Sequence, residues 1–529
     1  MASERPAAAT LLSDLDRAVA AHPDRLAAVG IDTETNLRRM LTYAQLSDEV
    51  DRVARGLRAL GVGPGDVVSV QLPNVLEFPV LLYAVLRIGA VFNGLTAIFR
   101  DREVEFILRR TASKVYVVPS VFRRYDFPAM ARRMRAVVPT LEHVVVVPKG
   151  SDGSVPADTV AWAALGGPPA EPAPVSPDDL AQIAFTSGTT GEPKGVMHSH
   201  RSLRQTVARF HEHVVMPEPV VNLVVSPVGH QTGFLWGTVL STYLAGTAVY
   251  LDIWNPSRAW EVIRQEGVTA MIAAAPFLRD LVEDPAAGGG PHGLRVISIP
   301  GAPIPRALVP RAQAELGARI VPSWGMTEYG IALAVGVNDP AEAYATDGSV
   351  VPGAAVRVVD AANRPVGPDV EGDLQIRGEG LFLGYFKRPD LTADSFVDGW
   401  FQTGDRAVMT RGGFVRITGR SKDIIIRGGE NVPVQEVENL LFTWPAIREV
   451  AIVAMPDERL GEKACAYVVP APGVRPTLQD MQEFLRAKGL TPQYWPERLE
   501  LIDALPRTPS GKIQKFLLRE DIRRRLGAE

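Results

Sequence analysis

The feature of this chain that most constrains its fold is a repeated alternation of short β-prone runs with helix-length amphipathic segments. The segments 43–60, 101–110 and 257–266 carry apolar residues at helical spacing. Such alternation is typical of α/β architecture with mainly parallel sheets. The predicted strands are 67–72, 114–118, 143–147, 223–225, 248–251, 269–274 and 296–299.

The pattern changes after about residue 350 toward shorter strands and tight turns, which are more typical of a β-barrel or a meander. From Gly419 onward, β-prone runs at 449–455 and 464–469 and an amphipathic segment at 477–488 predict a compact α+β unit. At roughly 110 residues, this tail is large enough to fold by itself. The sequence therefore predicts a large N-terminal region followed by a smaller C-terminal domain.

One apolar segment, 78–99, is long enough to span a bilayer. Pro79, Gly89, Asn93 and Gly94 interrupt it, and its patterning alternates between helix and strand. A buried helix followed by a core strand is therefore the better interpretation, and we expect no integral membrane segment.

Charge and cysteine content narrow the partners and the compartment. The formal net charge of −4 gives no electrostatic reason to expect nucleic acid as a partner. Cys465 is the only cysteine, which favours a reducing compartment, and the N-terminus has no apolar leader. We therefore expect a cytoplasmic protein, and the sequence leaves the choice between a monomer and a homodimer open.

Residues 186–196 form a loop of hydroxyl residues and glycines that follows an apolar run at 180–185. Its glycines allow the backbone to approach a ligand, and its hydroxyls, amides and one lysine can bind phosphate oxygens. Only two residues separate the glycines, and Gly195 follows the lysine, so this is not the loop of P-loop nucleoside triphosphatases. A flexible surface linker is the alternative. The residues of this phosphate-binding candidate are Thr186, Ser187, Gly188, Thr189, Thr190, Gly191 and Lys194.

Four further segments combine charged groups with glycines or hydroxyls: 323–328, 401–405, 419–430 and 506–512. Each segment alone is better interpreted as a solvated turn, and the segment 401–405 in particular predicts a carboxylate, Asp405, on a turn. Together with the loop at 186–196, in this order and over more than 300 residues, they form a specific pattern.

With these motifs the chain resembles the adenylate-forming superfamily, which contains acyl-CoA synthetases, peptide-synthetase adenylation domains and beetle luciferases. The resemblance extends over about residues 41–517, and segments 227–234 and 275–277 are similar to acyl-CoA ligases of the short/medium-chain and cyclohexanecarboxylate type. It implies an α/β fold with an N-terminal AMP-binding domain, 1–419, made of two parallel-type α/β subdomains and a distorted β-barrel. A mobile α+β domain, 420–529, would follow it.

The resemblance also implies an ATP site. The loop 186–194 would hold the β- and γ-phosphates, and Glu328 would help to bind Mg²⁺, which prefers carboxylate oxygen. Adenine would lie between Trp324 and a strand at 301–303, Asp405 would accept hydrogen bonds from the ribose, and Arg420 would contact ribose or phosphate. The remaining implied nucleotide-binding residues are Gly301, Ala302, Pro303, Gly325, Met326 and Thr327.

The catalytic residues that the resemblance implies are Lys512, Thr190, Glu328 and His230. Lys512 would neutralise charge while the substrate carboxylate attacks the α-phosphate. The C-terminal domain would then rotate about a hinge at Lys422, bringing Gly428, Gly429 and Glu430 to the site for attack by coenzyme A. His230 has a packed core histidine as its alternative interpretation. The acyl pocket would be formed by His230, Thr232, Gly233, Phe234 and Met326, with Gly301 beside them.

These implications lead to an ATP-dependent carboxylic acid:CoA ligase that works through an acyl-AMP. An alternative keeps the fold but performs only one half-reaction, or loads the acyl group onto a carrier protein. A catalytically silent nucleotide-binding protein is expected to lack Lys194, Glu328 or Lys512, and all three are present. A luciferase-like oxygenase has no distinguishing residue in this chain.

Overall fold

The computed structural model describes residues 9–149, 155–169, 173–186, 193–301, 304–420, 425–427, 430–457, 460–490, 492–508 and 511–527. Its largest sheet has nine strands, of which the six central ones are parallel. The antiparallel strands are confined to the two ends. In spatial order the strands of this first sheet are Ser349–Val350, Gly330–Ala334, Arg319–Met326, Val296–Ile299, Ala270–Ile272, Val221–Val224, Thr247–Leu251, Leu26–Ile31 and Arg38–Thr42.

A second sheet of eight strands is also parallel through its centre. At one end the strand Lys194–Ser199 runs antiparallel to its neighbours on both sides. In spatial order the strands are Gly384–Tyr385, Lys194–Ser199, Leu180–Thr186, Val91–Gly94, Val67–Val70, Val115–Pro119, His143–Val147 and Val160–Ala161. A small hairpin joins Val121–Phe122 to Tyr125–Asp126.

Two further sheets have five strands each. The third sheet is antiparallel, with the strands Ala354–Val359, Glu371–Gly378, Trp400–Met409, Phe396–Val397 and Val415–Arg420. The fourth sheet contains Glu430–Val432, Ile425–Arg427, Gly461–Pro470, Ile447–Asp457 and Arg498–Leu501. The predicted domain boundary at 419/420 falls at the end of the third sheet, before the fourth begins, and it stays a prediction.

Helices cover the faces of these sheets, and several begin at side chains that cap free backbone amides. Thr42 and Gln45 form a capping box at Tyr43–Ala59, and Asn255 caps Pro256–Gln265. Thr232–Val239 is a π-helix. The other α-helices are Leu11–Ala21, Glu77–Arg87, Asp101–Thr111, Phe127–Val137, His200–Val214, Leu240–Tyr243, Ala275–Glu283, Leu308–Leu316, Pro389–Asp394, Val434–Leu441, Leu478–Ala487 and Lys515–Arg525, and the 3₁₀ helices are Trp162–Ala164, Pro285–Gly288, Ala341–Ala345 and Pro492–Tyr494.

The predicted fold class, α/β with a smaller α+β C-terminal domain, is confirmed. The apolar segment 78–99 forms the buried helix Glu77–Arg87 and the core strand Val91–Gly94, as expected. Its Phe92 ring stacks on Phe234 with the centroids 5.7 Å apart, which packs the second sheet against the π-helix. Within the described ranges, the helices are too short or too polar to cross a membrane.

A buried lysine connects the first two sheets. Lys149 follows the second-sheet strand His143–Val147, and its Nζ lies 2.6 Å from Asp252 Oδ2 and 2.8 Å from Asp32 Oδ2. Both carboxylates follow strands of the first sheet, and the side chains of Lys149 and Asp252 are 3% and 1% exposed. A carboxylate at such a depth needs its cationic partner, because protein atoms have replaced most of its hydration.

We expect Lys149→Ala to lower the free energy of unfolding by about 3–5 kcal/mol, because the substitution leaves Asp252 charged, buried and unpaired. The urea midpoint measures this change. Arg109→Ala, which removes an exposed pair with Glu105, is the control and is expected to cost less than about 1 kcal/mol. Equal effects of the two substitutions would contradict the role of Lys149 as the connection between the sheets.

Candidate active site

The two ends of the predicted phosphate loop are paired strands. Leu180–Thr186 enters the loop and Lys194–Ser199 leaves it, and Thr186 lies opposite Lys194 in the antiparallel ladder. The Thr186 hydroxyl donates to the Lys194 carbonyl at 3.5 Å. Ser187, Gly188, Thr189, Thr190 and Gly191 lie outside the described residues.

Tyr385 connects this loop to Glu328, which the sequence singled out as a magnesium ligand. The short strand Gly384–Tyr385 pairs with the strand after the loop, at Val196. The Tyr385 hydroxyl donates to Glu328 Oε1 at 2.9 Å, and the Lys194 ammonium lies 4.7 Å from the centre of the Tyr385 ring. Burial and the neighbouring Glu328 carboxylate raise the pKa of Tyr385 well above its usual value, so the hydroxyl keeps its proton.

The segment 323–328 leaves the first sheet and contributes Trp324, Gly325, Met326, Thr327 and Glu328. A side chain at Gly325 would place its Cβ 2.2 Å from the Gly330 carbonyl, so only glycine fits the close approach of the two strands. The carbonyl oxygen of Thr327 lies 2.7 Å from His198 Nε2. Because a carbonyl can only accept, the His198 proton is on Nε2. Burial lowers the pKa of His198 to about 4, which keeps this donor neutral.

Asp405 lies inside the strand Trp400–Met409, and the expectation that it sits on a turn is wrong. The strand bulges here: the pairing with the neighbouring strand jumps from Gln375–Gln402 to Asp373–Arg406. Gly404 has a φ of +74°, which allows the bulge without ending the strand. The bulge directs the Asp405 carboxylate inward, whereas in a regular ladder this carboxylate would lie beside the side chains of the neighbouring strand.

The Asp405 carboxylate is held from two sides. Trp324 Nε1 donates to its Oδ2 at 3.2 Å, and Arg420 Nε donates to its Oδ1 at 3.1 Å. Arg420 is the cross-strand neighbour of Asp405 in the third sheet. Burial raises the pKa of Asp405, while Arg420 and Lys512 act in the opposite direction. Groups from the first sheet, the third sheet and the C-terminal domain thus surround the Asp405 carboxylate.

Lys512 reaches this site from the C-terminal domain. A Cβ added at Gly301 would lie 4.0 Å from Lys512 Cε. Burial, the largest influence, and then Arg420 lower the pKa of Lys512 to about 8, while the carboxylates of Asp405 and Glu328 oppose the shift. Lys512, Glu328, Asp405 and Arg420, which are far apart in the sequence, therefore meet at one place.

His230 is a buried residue that lies near enough to the Lys512 amine to sense its charge. Its Nδ1 accepts a hydrogen bond from the backbone N–H of Thr232 at 3.2 Å, so the neutral ring carries its proton on Nε2. Burial and then the Lys512 charge lower the pKa of His230 to about 3. Gly233 and Phe234 lie deeper: a Cβ at Gly233 would be 2.4 Å from the carbonyls of Ser226 and Pro227, and Phe234 is 1% exposed.

The remaining predicted site residues lie within or next to segments that the structure does not describe. Gly301 is described as a bend with a φ of +89° rather than as part of the expected strand, because a left-handed residue ends the extended run after Val296–Ile299. Glu430 begins the strand Glu430–Val432, and its side chain is not described. Ala302, Pro303, Lys422, Gly428 and Gly429 lie outside the described residues.

Sequence reasoning missed His198 and Tyr385. Neither lies in one of the motif segments 186–196, 323–328, 401–405, 419–430 and 506–512, so neither was predicted as a site residue. The only available signal was their position beside the loop: His198 is four residues after Lys194, in the same strand. Tyr385 comes from a strand about 190 residues further along the chain, and only the sheet pairing connects it to the site.

Comparisons with known proteins agree with this geometry. A profile of the AMP-binding enzyme family matches residues 15–386, and a profile of the AMP-binding enzyme C-terminal domain matches residues 436–512. The medium-chain fatty-acid–CoA ligase of Escherichia coli is 35% identical over 96% of this chain and 89% of its own length. The 2,3-dihydroxybenzoate-AMP ligase of Bacillus subtilis is 31% identical over 92% of this chain and 89% of its own length.

Among solved structures, ATP-bound MatB from Rhodopseudomonas palustris superposes with a TM-score of 0.85 at 25% identity, covering 97% of this chain and 99% of MatB. These relatives match this chain over nearly its whole length, both domains included, and the predicted superfamily is confirmed. With both family profiles matched and the nucleotide-site candidates gathered at one place, the chain belongs to the family of AMP-binding enzymes.

Proposed function

We propose that this protein is an ATP-dependent carboxylic acid:CoA ligase that forms an acyl-AMP and then a thioester. The observation that carries the proposal is the Lys512 ammonium of the C-terminal domain, which lies among Asp405, Arg420, Glu328 and His230. The names of the Escherichia coli and Bacillus subtilis relatives support the two halves of the reaction, CoA ligation and AMP transfer. Because Cys465 is an unpaired buried thiol, we infer a cytoplasmic location.

In the first step a carboxylate oxygen of the acid attacks the α-phosphorus of ATP, and the bond to the β-phosphate breaks to release pyrophosphate. Lys512 would balance the negative charge that accumulates on the α-phosphate and on the attacking carboxylate. Asp405 would accept hydrogen bonds from the ribose hydroxyls, with Trp324 and Arg420 holding the carboxylate in place. The loop between Thr186 and Lys194 would hold the β- and γ-phosphates.

In the second step the thiol of coenzyme A loses its proton and attacks the acyl carbon, and AMP leaves with the phosphate oxygen. The Lys512 side chain fills the space beside His230 and Gly301, so it must withdraw before the thiol can reach the acyl group from that side. Rotation of the C-terminal domain about Lys422 would withdraw it and would bring Gly428, Gly429 and Glu430 to the site.

Mg²⁺ fits the chemistry of the site through Glu328. Among the described residues there is no group of three or more His, Cys, Asp or Glu that could hold a metal ion alone. Mg²⁺ is commonly bound by one or two carboxylates together with substrate phosphates, and the Glu328 carboxylate beside Lys194 and Tyr385 is placed for such a role. When bound, Mg²⁺ would neutralise phosphate charge.

The proposal is tested with a panel of carboxylic acids, ATP, Mg²⁺ and coenzyme A, by measuring ATP–pyrophosphate exchange and CoA ester separately. A full ligase gives both products with the same acid. We expect Lys512→Ala to abolish exchange and to leave CoA-ester formation from supplied acyl-AMP largely intact. Exchange without CoA ester would instead indicate carrier loading or a half-reaction, and an absence of exchange with every acid would contradict the proposal.

The pH dependence of adenylation follows from the pKa of Lys512, which burial and Arg420 lower to about 8. The proton must be present, so we expect kcat/KM for exchange to be constant below that pH and to fall as pH rises through it. Lys512→Arg, whose guanidinium stays charged, is the matched control: whatever activity it retains should lose this decline. A wild-type profile that stays flat to pH 9.5 would contradict the lowered pKa of Lys512, because a lysine with its ordinary pKa of about 10.4 is still charged at that pH.

We expect Tyr385→Phe to lower kcat/KM for exchange by about 10- to 100-fold, because the loss of a hydrogen bond to a charged group frees the Glu328 carboxylate. The ring that faces Lys194 remains, so the effect isolates the hydroxyl. Tyr467→Phe removes the analogous bond to Asp521, 2.8 Å long, within the C-terminal domain and is the control. If both variants resemble the wild type in their dependence on Mg²⁺ and ATP, Tyr385 has no role in orienting Glu328.

A further inference from the structure

We propose that Arg507 is a positioning residue that holds the loop carrying Lys512 in the conformation needed for adenylation, acting together with Glu449. The inference rests on the proposed function and adds a residue to it. Arg507 lies five positions before Lys512, at the point where the loop leaves the C-terminal domain.

The loop closes on itself through its backbone. Arg507 and Ile513 form an antiparallel bridge, the N–H of Thr508 donates to the Lys512 carbonyl at 2.7 Å, and the N–H of Lys512 donates to the Thr508 hydroxyl at 3.1 Å. Gly511 has a φ of +85°, a conformation that favours glycine. These bonds connect Arg507 and Thr508 to Lys512 and Ile513, but the partners are all close in sequence, so the bonds do not fix the orientation of this segment against the rest of the domain.

The Arg507 guanidinium supplies that connection. Its Nη1 donates to the Gly511 carbonyl at 2.7 Å, and its Nη2 donates to Glu449 Oε2 at 3.0 Å. Glu449 belongs to the strand Ile447–Asp457, which pairs with Gly461–Pro470 in the fourth sheet, and its side chain is 15% exposed. One planar group therefore joins the residue before Lys512 to the rigid sheet, with two donors in a fixed geometry that lysine does not reproduce.

The same cluster contacts the N-terminal domain. A Cβ at Gly511 would lie 3.6 Å from Ala274 Cβ and 3.5 Å from Pro276 Cγ, at the start of the helix Ala275–Glu283. Arg279 of this helix donates to the Arg448 carbonyl at 3.3 Å. Burial lowers the pKa of Arg279, the carboxylates of Glu449, Glu283 and Asp280 oppose this shift, and the charge of Arg507 adds to it. The Glu449 carboxylate therefore interacts with one guanidinium from each domain.

A shift of the loop would be passed directly to the Lys512 amine, because Lys512 follows Gly511. Adenylation depends on the position of that amine within a fraction of an ångström, whereas the second half-reaction takes place after the loop has withdrawn. Arg507 should therefore matter for the first half-reaction and not for the second.

The kinetic test compares Arg507→Ala, Arg507→Lys and Glu449→Gln, and uses Arg523→Ala on the exposed C-terminal helix as the control. We expect Arg507→Ala to lower kcat for exchange by about 10- to 100-fold, with KM for ATP and the conversion of supplied acyl-AMP close to wild type. Arg507→Lys should restore part of the rate.

Equal losses in both half-reactions would overturn the inference, because that result means that Arg507 acts other than through Lys512. A wild-type rate for Arg507→Ala would do the same. Thermal unfolding of each variant identifies a domain that has simply lost its fold, and Glu449→Gln then provides the second route to the same prediction.

A second measurement needs no substrate. Acetic anhydride labels exposed amines, and mass spectrometry of the acetylated peptides gives the rate at Lys512 relative to Lys463 and Lys488 in the same domain. We expect Arg507→Ala to raise the relative rate at Lys512 by about tenfold, because a charge-assisted bond that limits local opening is lost. An unchanged rate contradicts the inference even if the wild-type protein activates every acid, and a raised rate supports it even if the proposed function fails.

Discussion

The structure depends on the cost of placing one ammonium group, that of Lys512, away from water between two domains. A buried cation loses hydration that only opposite charges at short range can replace. The N-terminal region provides them as Asp405 and Glu328, and these carboxylates limit the fall in the pKa of Lys512 to a value of about 8. The charge of Lys512 therefore depends on the docked position of the C-terminal domain, because the carboxylates that stabilise this charge belong to the N-terminal region.

Each of these carboxylates is in turn restrained by a neighbour that has no acid–base task of its own. Trp324 and Arg420 hold Asp405, and Tyr385 holds Glu328. Neutral donors dominate in this outer layer, since His198 and Tyr385 keep their protons over the physiological range. These neutral donors can orient their partners without adding charge to the site, whereas Arg420 adds one positive charge beside Asp405.

The sequence predicted the strands His143–Val147 and Val296–Ile299 with their observed bounds, because a β-prone run ends where the apolar pattern ends. It also indicated the loop at 186–196 and the two carboxylates, since unusual residue types in short segments are visible locally. It did not predict Tyr385 or the bulge at Asp405. Both depend on which strands pair, and pairing across about 190 residues leaves no trace in either segment alone.

Arg420 ends the strand Val415–Arg420, and the next described residues already belong to the fourth sheet. Arg420, which holds Asp405, is thus also the last described residue before the fourth sheet and lies at the predicted domain boundary. In the proposed reaction, a ribose that competes for the Asp405 oxygens would change the ion pair between Asp405 and Arg420, next to the proposed hinge. Nucleotide binding and the orientation of the C-terminal domain would then be coupled through Arg420. The order of the two half-reactions would be set by this coupling as well as by the supply of substrates.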